Sequence, residues 1–285
     1  MVPPMFHANA WGTPFSGWLA GSDFVLPGPH LQPDRLAKVI ALTQPSFTSA
    51  VPTILNDLLQ LHAKAPLDLS SFRVIVSGGS AVSPALIKRV RDAWGIDVIQ
   101  GWGMTETSPM CVLSFPPRDA GPEEALIWQA KSGRPVAGME VRIVDDADQP
   151  LAEDGQTIGH LQLRGPWVTA GYHLQSEGDG SLSPDGWLRT GDAGTIDTLG
   201  YVQITDRTKD LIKSGGEWIS SVEIENELMS HPKIKEAAVI GVPHPKWSER
   251  PLACVVVADG HTLTKEEVLD HIKPTLANTG LWHFW

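Results

Sequence analysis

The stretch Ile96-Asp97-Val98-Ile99-Gln100-Gly101-Trp102-Gly103-Met104-Thr105-Glu106 decides how this chain is read. Residues 96–99 are a short apolar run with the character of a buried strand. A backbone that then turns on Gly101 and Gly103 approaches a ligand closely. The expected turn carries an indole (Trp102), a hydroxyl (Thr105) and a carboxylate (Glu106) in close succession. That set suits a nucleotide base, an acyl oxygen and a divalent cation. Upstream, residues 72–76 read as a second strand and Ser77-Gly78-Gly79-Ser80 as its turn. Ser83 then caps a helix with Pro84 at its first position, ending at Gly95. A strand-helix-strand unit of this length implies parallel strands. Both glycine turns then lie at carboxyl ends of strands, where open α/β sheets place ligands. Helical spacing over residues 36–42 and 54–61 extends the α/β pattern.

Composition bounds the partners. The 285 residues carry a formal net charge of -11, which argues against nucleic acid as the main partner. It leaves room for ATP, which needs only local cations and backbone N–H groups. The apolar fraction of 42% supports a real core. Eleven tryptophans suggest wide apolar surfaces and an apolar ligand, and leave peripheral contact with a membrane open. No apolar run approaches the length of a membrane span, and no signal peptide is visible. Cys111 and Cys254 lie among apolar neighbours without a Cys-x-x-Cys partner, so both are expected to be buried free thiols in a reducing cytoplasm.

From about residue 131 to 205 the pattern becomes β-rich. Strands are expected at 141–144, 160–164, 193–196 and 201–205, the last two forming a hairpin across residues 197–200. Beyond Lys209 it changes again. Ser220-Ser221-Val222-Glu223 and Thr264-Lys265-Glu266-Glu267 are capping boxes that open helices. Residues 237–242 and 251–257 read as strands between them.

A second chemical segment is Arg189-Thr190-Gly191-Asp192, followed by Asp206-Arg207-Thr208-Lys209-Asp210 and Lys213-Ser214-Gly215-Gly216-Glu217-Trp218. An Asp in a tight Gly turn accepts from both ribose hydroxyls, each such bond to a charged group being worth roughly 1.5–3 kcal/mol. Arg207 suits a second ribose or phosphate oxygen. The Gly215-Gly216 pair admits a thin ligand chain.

Together with Met5-Phe6-His7-Ala8-Asn9-Ala10-Trp11-Gly12, these segments resemble the adenylate-forming acyl-CoA synthetase superfamily, and most closely its medium- and long-chain fatty acyl-CoA synthetases. The match runs from Val2 to about Lys273. The resemblance implies an α/β fold: residues 1–206 as the C-terminal part of a large AMP-binding domain, with its parallel βαβ sheet over about 1–115 and a β-rich subdomain over about 130–206. Residues 207–285 would be a truncated small α+β domain, with the hinge near Lys209.

The resemblance also implies ATP, Mg²⁺ and coenzyme A as co-reactants and a fatty acid as substrate. It implies that Thr105 bonds phosphate or acyl oxygens and that Glu106 holds Mg²⁺. Gly78, Gly79, Ser80, Gln100, Gly101, Trp102 and Gly103 would line the adenine pocket. Asp192 and Arg207 would grip the ribose, and Lys213 and Trp218 would reach the adenylate from the small domain. Gly215, Gly216 and Glu217 would border the pantetheine path. His7 and Trp11 would lie at the acyl site.

Two family pieces find no match in these 285 residues: a Ser/Thr/Gly-rich loop ending in Lys-Gly, and a C-terminal Lys that holds the α-phosphate. Losing one preorganised donor of this kind lowers a rate by about 10²–10³, so this polypeptide alone is expected to adenylate poorly. The alternatives are a synthetase for aryl or short-chain acids, a non-catalytic AMP-binding remnant, and an adenylation domain that loads a carrier protein.

Overall fold

The first layer grows from local signals. Ser83 Oγ accepts the Leu86 N–H at 3.2 Å, Pro84 supplies a preset φ, and Gly95 ends the helix at φ +67°. A computed structural model describes residues 1–173, 180–214, 217–258 and 260–277, leaving aside the side chains of 213, 217, 218 and 275–277. The chain opens with two short helices, α1 (Ala8–Trp11) and α2 (Thr13–Leu19). Then follow α3 (Pro33–Thr43), β1 (Phe47–Ala50), α4 (Pro52–Lys64), β2 (Val74–Ser77), α5 (Pro84–Trp94) and β3 (Asp97–Gly103). β4 (Met110–Leu113), α6 (Pro122–Ala130) and β5 (Arg134–Pro135) complete this layer.

These strands form one five-stranded sheet in the order β1-β2-β3-β4-β5. β2 and β3 are parallel, as the βαβ reading requires; β1, not expected as a strand, pairs parallel with β2, and β4 and β5 add antiparallel. Leu36, Leu55, Ile75, Ile87, Val90 and Val98 form the core between the helices and this sheet. Leu55 is 1% exposed. Leu55→Ala is expected to destabilise the fold by about 2–5 kcal/mol through lost burial and a residual cavity. An unfolding free energy from urea lowered by less than about 1 kcal/mol at constant m-value would show that this core collapses around the gap.

One expectation fails here. Gly101 to Gly103 are not a turn. β3 continues through them and pairs with β4 in the register Gly101↔Leu113, Trp102↔Val112 and Gly103↔Met110. The glycines serve the close approach of protein to itself. A Cβ on Gly103 would sit 1.8 Å from Pro109 O, and one on Gly78 would sit 2.7 Å from Gly101 O. The chain reverses later, in a 3₁₀ turn at Thr105–Thr107.

The second layer is antiparallel. β6 (Glu140–Val144), β7 (Gly159–Arg164), β8 (Leu188–Ile196) and β9 (Val202–Arg207) follow in sheet order. The hairpin across residues 197–200 is present, closed by Asp197 N–H to Tyr201 O at 3.0 Å. β8 is longer than expected, so Asp192 lies in a strand opposite Arg207 and not in a tight turn. Gly191, at φ +76°, only kinks that strand. Ile143, Leu161 and Ile196 of this sheet pack with Val112 and Trp102 of the first. On its other face the Trp187 ring lies between two guanidiniums, Arg142 at 4.3 Å and Arg164 at 4.5 Å.

The third unit contains β10 (Ile212–Ser214), β11 (Glu217–Ile219), α7 (Ser221–Ser230), β12 (Ile234–His244), β13 (Ser248–Val257) and α8 (Lys265–Ala277). Its sheet order is β11-β10-β13-β12. The Thr264 box is reciprocal: Thr264 N–H donates to Glu267 Oε2 at 2.9 Å, and Glu267 N–H to Thr264 Oγ1 at 3.2 Å. Ile224 and Leu228 of α7 and Ile272 of α8 pack on Val239, Ala253 and Val255. That inward set fixes the period of β13, so Cys254 points outward beside Leu252 and Val256 and is exposed. The expectation of two buried thiols therefore holds for Cys111 alone, whose thiol is pushed up to about 12 by burial. Among the described residues no helix is long and apolar enough to cross a membrane.

Candidate functional site

The three units meet at one cleft of about 1910 Å³. Gly79, Ser80, Gln100, Gly101, Trp102 and Gly103 line it from the first sheet, with Glu106 at its 3₁₀ turn. Asp192 reaches it from β8, and Arg207 and Lys209 from the end of β9 and the turn after it. Residues separated by about a hundred positions in the chain thus converge because the end of β3 faces the middle of β8, where Trp102 meets Asp192. Gly78 and Thr105 do not line the cleft, and Thr105 is exposed on the 3₁₀ turn.

Asp192 is the best defined group. Its Oδ2 accepts the Trp102 indole N–H at 3.0 Å, and its backbone N–H donates to Thr190 Oγ1 at 3.0 Å. Burial raises its carboxyl above the ordinary range; the Trp102 bond and the charge of Arg207 oppose this, and Asp206 adds to it. Glu106 is half-buried and accepts the Tyr172 hydroxyl at 2.7 Å. Gln100 is spent inside the protein. Its Oε1 accepts Val82 N–H at 2.6 Å and its Nε2 donates to Lys131 O at 3.0 Å. It braces the loop after β2 and presents no free amide to a ligand.

Sequence reasoning missed Tyr172 and a role for Asp206. Asp206 is buried, and its Oδ2 accepts both the N–H and the hydroxyl of Ser221 at 2.8 and 2.6 Å. Ser220 Oγ donates to Thr205 O at 2.6 Å and accepts Glu223 N–H at 3.1 Å. The start of α7 is therefore fastened to β9, across the turn that holds Lys209. The tandem Ser220-Ser221 downstream of an Asp was the available signal.

The remaining expected residues are placed as follows. Lys213 and Trp218 are register partners in β10 and β11, with Glu217 beside them. Gly215 and Gly216 lie outside the described residues. His7 is exposed and does not line the cleft. Trp11 sits against the loop after β2: a Cβ on Gly79 would lie 3.6 Å from its Cζ2. The four residues of α1 all have positive φ, between 43° and 57°. This left-handed turn, disfavoured by about 1–2 kcal/mol per residue, is what carries the Trp11 ring to that loop.

The profile of the AMP-binding enzymes matches residues 1–173, and that of the AMP-binding enzyme C-terminal domain matches residues 223–280. The chain belongs to the AMP-binding enzyme family.

This AMP-binding enzyme is 47% identical over 275 residues to a long-chain-fatty-acid–CoA ligase of Thermus thermophilus, covering 95% of the chain and 50% of that relative. It is 43% identical over 279 residues to a medium-chain-fatty-acid–CoA ligase of Ectopseudomonas oleovorans, covering 97% and 51%. Among solved structures, ATP-bound MatB from Rhodopseudomonas palustris superimposes with a TM-score of 0.83 at 28% identity, over 96% of the chain and 52% of that protein. An anthranilate CoA ligase in complex with anthranoyl-AMP gives 0.81 at 29% identity, covering 95% of the chain and 51% of that protein. The chain spans about half the length of the curated relatives it matches.

A divalent cation fits this AMP-binding enzyme only as a companion of phosphate. Among the described residues no three His, Cys, Asp or Glu side chains form a metal cage. Glu106, one of several carboxylates that line the cleft, matches the habit of Mg²⁺, which keeps several waters and binds through one or two carboxylates plus substrate phosphates.

Proposed function

We propose that this chain provides the nucleotide grip of an enzyme that activates a medium- or long-chain fatty acid with ATP, first to acyl-AMP and then to acyl-CoA. The observation that carries the reading is the convergence of Trp102, Asp192, Arg207 and Glu106 on one cleft. In the first step a carboxylate oxygen bonds to the α-phosphorus as the bond to pyrophosphate breaks. In the second the coenzyme A sulfur bonds to the acyl carbon as AMP leaves and the thiol proton is released.

In this reading Asp192 and Arg207 hold the ribose, Trp102 and the Gly79-Ser80 loop flank the base, and Thr105 bonds phosphate or acyl oxygens at the mouth. Glu106, held by Tyr172, faces the phosphates. Mg²⁺, when bound with the nucleotide, offsets phosphate charge. The small unit turns about Lys209, bringing Lys213 and Trp218 to the adenylate and Gly215-Gly216-Glu217 to the pantetheine. Trp11, with His7 before it, borders the acyl chain. Identity to the two fatty-acid ligases supports the substrate class. A short thioether acid is the second reading, favoured by 47% identity over 272 residues to a 3-methylmercaptopropionyl-CoA ligase of Ruegeria pomeroyi.

Calorimetry with AMP and with non-hydrolysable acyl-adenylate analogues tests this. The dodecanoyl analogue is expected to bind at least about tenfold tighter than AMP, since it adds buried CH₂ groups at about 0.8 kcal/mol each. Equal or tighter binding of the benzoyl analogue would remove the fatty-acid assignment, and tighter binding of the 3-methylmercaptopropionyl analogue would select the second reading. Absence of AMP binding would remove the nucleotide reading altogether. Pyrophosphate release by the 285-residue chain itself is expected to stay near background.

A further inference from the structure

Stacking on a base would use the face of Trp102 and leave its indole N–H free. That N–H is not free. It crosses from the mixed sheet to the antiparallel sheet and donates to Asp192 Oδ2 at 3.0 Å, joining residues 90 positions apart. The ring that carries it is held in place. It packs against two clusters of buried residues, one that includes Val112, Ile143 and Leu161 and one that includes Cys111, Met139 and Leu163. The donor is therefore preorganised, and Asp192 meets it from a strand whose neighbour in register is Arg207.

We infer that Trp102 is a positioning residue for the nucleotide grip: its indole N–H holds one carboxylate oxygen of Asp192 and leaves the other for a ribose hydroxyl. This rests on the nucleotide reading given above. The carboxylate needs such help because its surroundings are mixed. Arg207 of β9 favours the ionised form; burial and Asp206, also of β9, disfavour it. The Cys111 thiol of β4 lies within its field and is itself kept protonated by burial. From β7, His160, opposite Ala193, is engaged by Asp146 and Thr208. With the indole N–H removed, Asp192 would stay protonated to higher pH, and a protonated carboxyl grips a ribose poorly.

Two variants separate this role from simple packing. Trp102→Phe keeps an aromatic platform and lacks the donor. Replacing Trp102 with 3-benzothienylalanine by nonsense suppression keeps the whole shape, with sulfur in place of N–H. AMP affinity is measured by calorimetry for wild type and both variants, and the titration of the AMP phosphate cancels in the ratio. Both variants are expected to bind about tenfold more weakly than wild type at about pH 5, and less than about threefold more weakly at about pH 8. Equal loss at both pH values, or no loss, overturns the inference while leaving the nucleotide reading intact. A wild-type chain that binds no AMP removes that reading and this inference with it. Should the Phe variant fail to fold, the isosteric one decides.

Discussion

Asp192→Ala is expected to weaken AMP binding by about 10–10²-fold, because it deletes a charge-assisted hydrogen bond to the ribose worth roughly 1.5–3 kcal/mol. It also strands the Trp102 N–H that now donates to Oδ2. Calorimetry reads the loss directly, and an affinity within about threefold of wild type would show that the ribose is held elsewhere. Asp192→Asn adds an opposite effect on stability. Burial raises the folded-state carboxyl above its ordinary range. A raised acid binds its proton more tightly in the folded state than in the unfolded one, so its contribution to stability is present at low pH and lost as pH rises through the raised value. At neutral pH the ionised Asp192 thus burdens the fold. The Asn variant, which still accepts from Trp102, is expected to melt higher than wild type at about pH 7.5, with the gap closing toward about pH 4. A lower melting temperature at neutral pH would contradict that sign. The nucleotide grip is bought against stability at this position.

Gly103→Ala is expected to be the most damaging single methyl group in the site. The added Cβ would lie 1.8 Å from Pro109 O, a backbone atom that cannot swing away. Either β3 parts from β4 or the 3₁₀ turn that carries Glu106 shifts, and a loss of about 3 kcal/mol or more is expected in urea unfolding. Gly191→Ala is the comparison. Gly191 has φ +76° but nothing within 4 Å of its virtual Cβ, so strain alone acts and the loss should be about 1–2 kcal/mol. Equal losses for the two variants would mean that β3 and β4 accommodate the methyl group by moving.

Which parts were legible follows from how far each signal reaches. Helix caps are local, and Ser83 with Leu86 and Thr264 with Glu267 behave as their residue types dictate. The parallel pairing of β2 and β3 follows from the length of their connection, whereas β1, four residues long, was not read as a strand. The glycines of β3 misled because a glycine needed for cross-strand clearance looks, in sequence, like one needed for a turn. What distinguishes them is Pro109, whose carbonyl fills the space. Asp192 was expected in a turn for a related reason: Gly191 kinks a strand that nonetheless continues. Cys254 was misjudged because an apolar run does not reveal which of its two faces finds a helix. The contact between Tyr172 and Glu106 spans 66 positions and has no local pattern at all. Many of the residues named for the nucleotide nevertheless line the cleft, because β3 and β8 both run along it.

β3 hydrogen-bonds in two modes along a single strand: its first half runs parallel to β2, and its second half antiparallel to β4. β2 fixes Asp97 to Gln100 and β4 fixes Gly101 to Gly103, so neither half can slip without the other. Losing one residue between Asp97 and Gln100 would turn every later side chain to the opposite face. Trp102 would then leave Asp192, and the clearance made for Pro109 would fall on a residue with a Cβ. Length variation in this strand is therefore closed to the protein, whereas the turn at residues 197–200, which no second strand constrains, is open to it. Across related chains the count from Asp97 to Glu106 should be invariant, while that hairpin tip should grow and shrink.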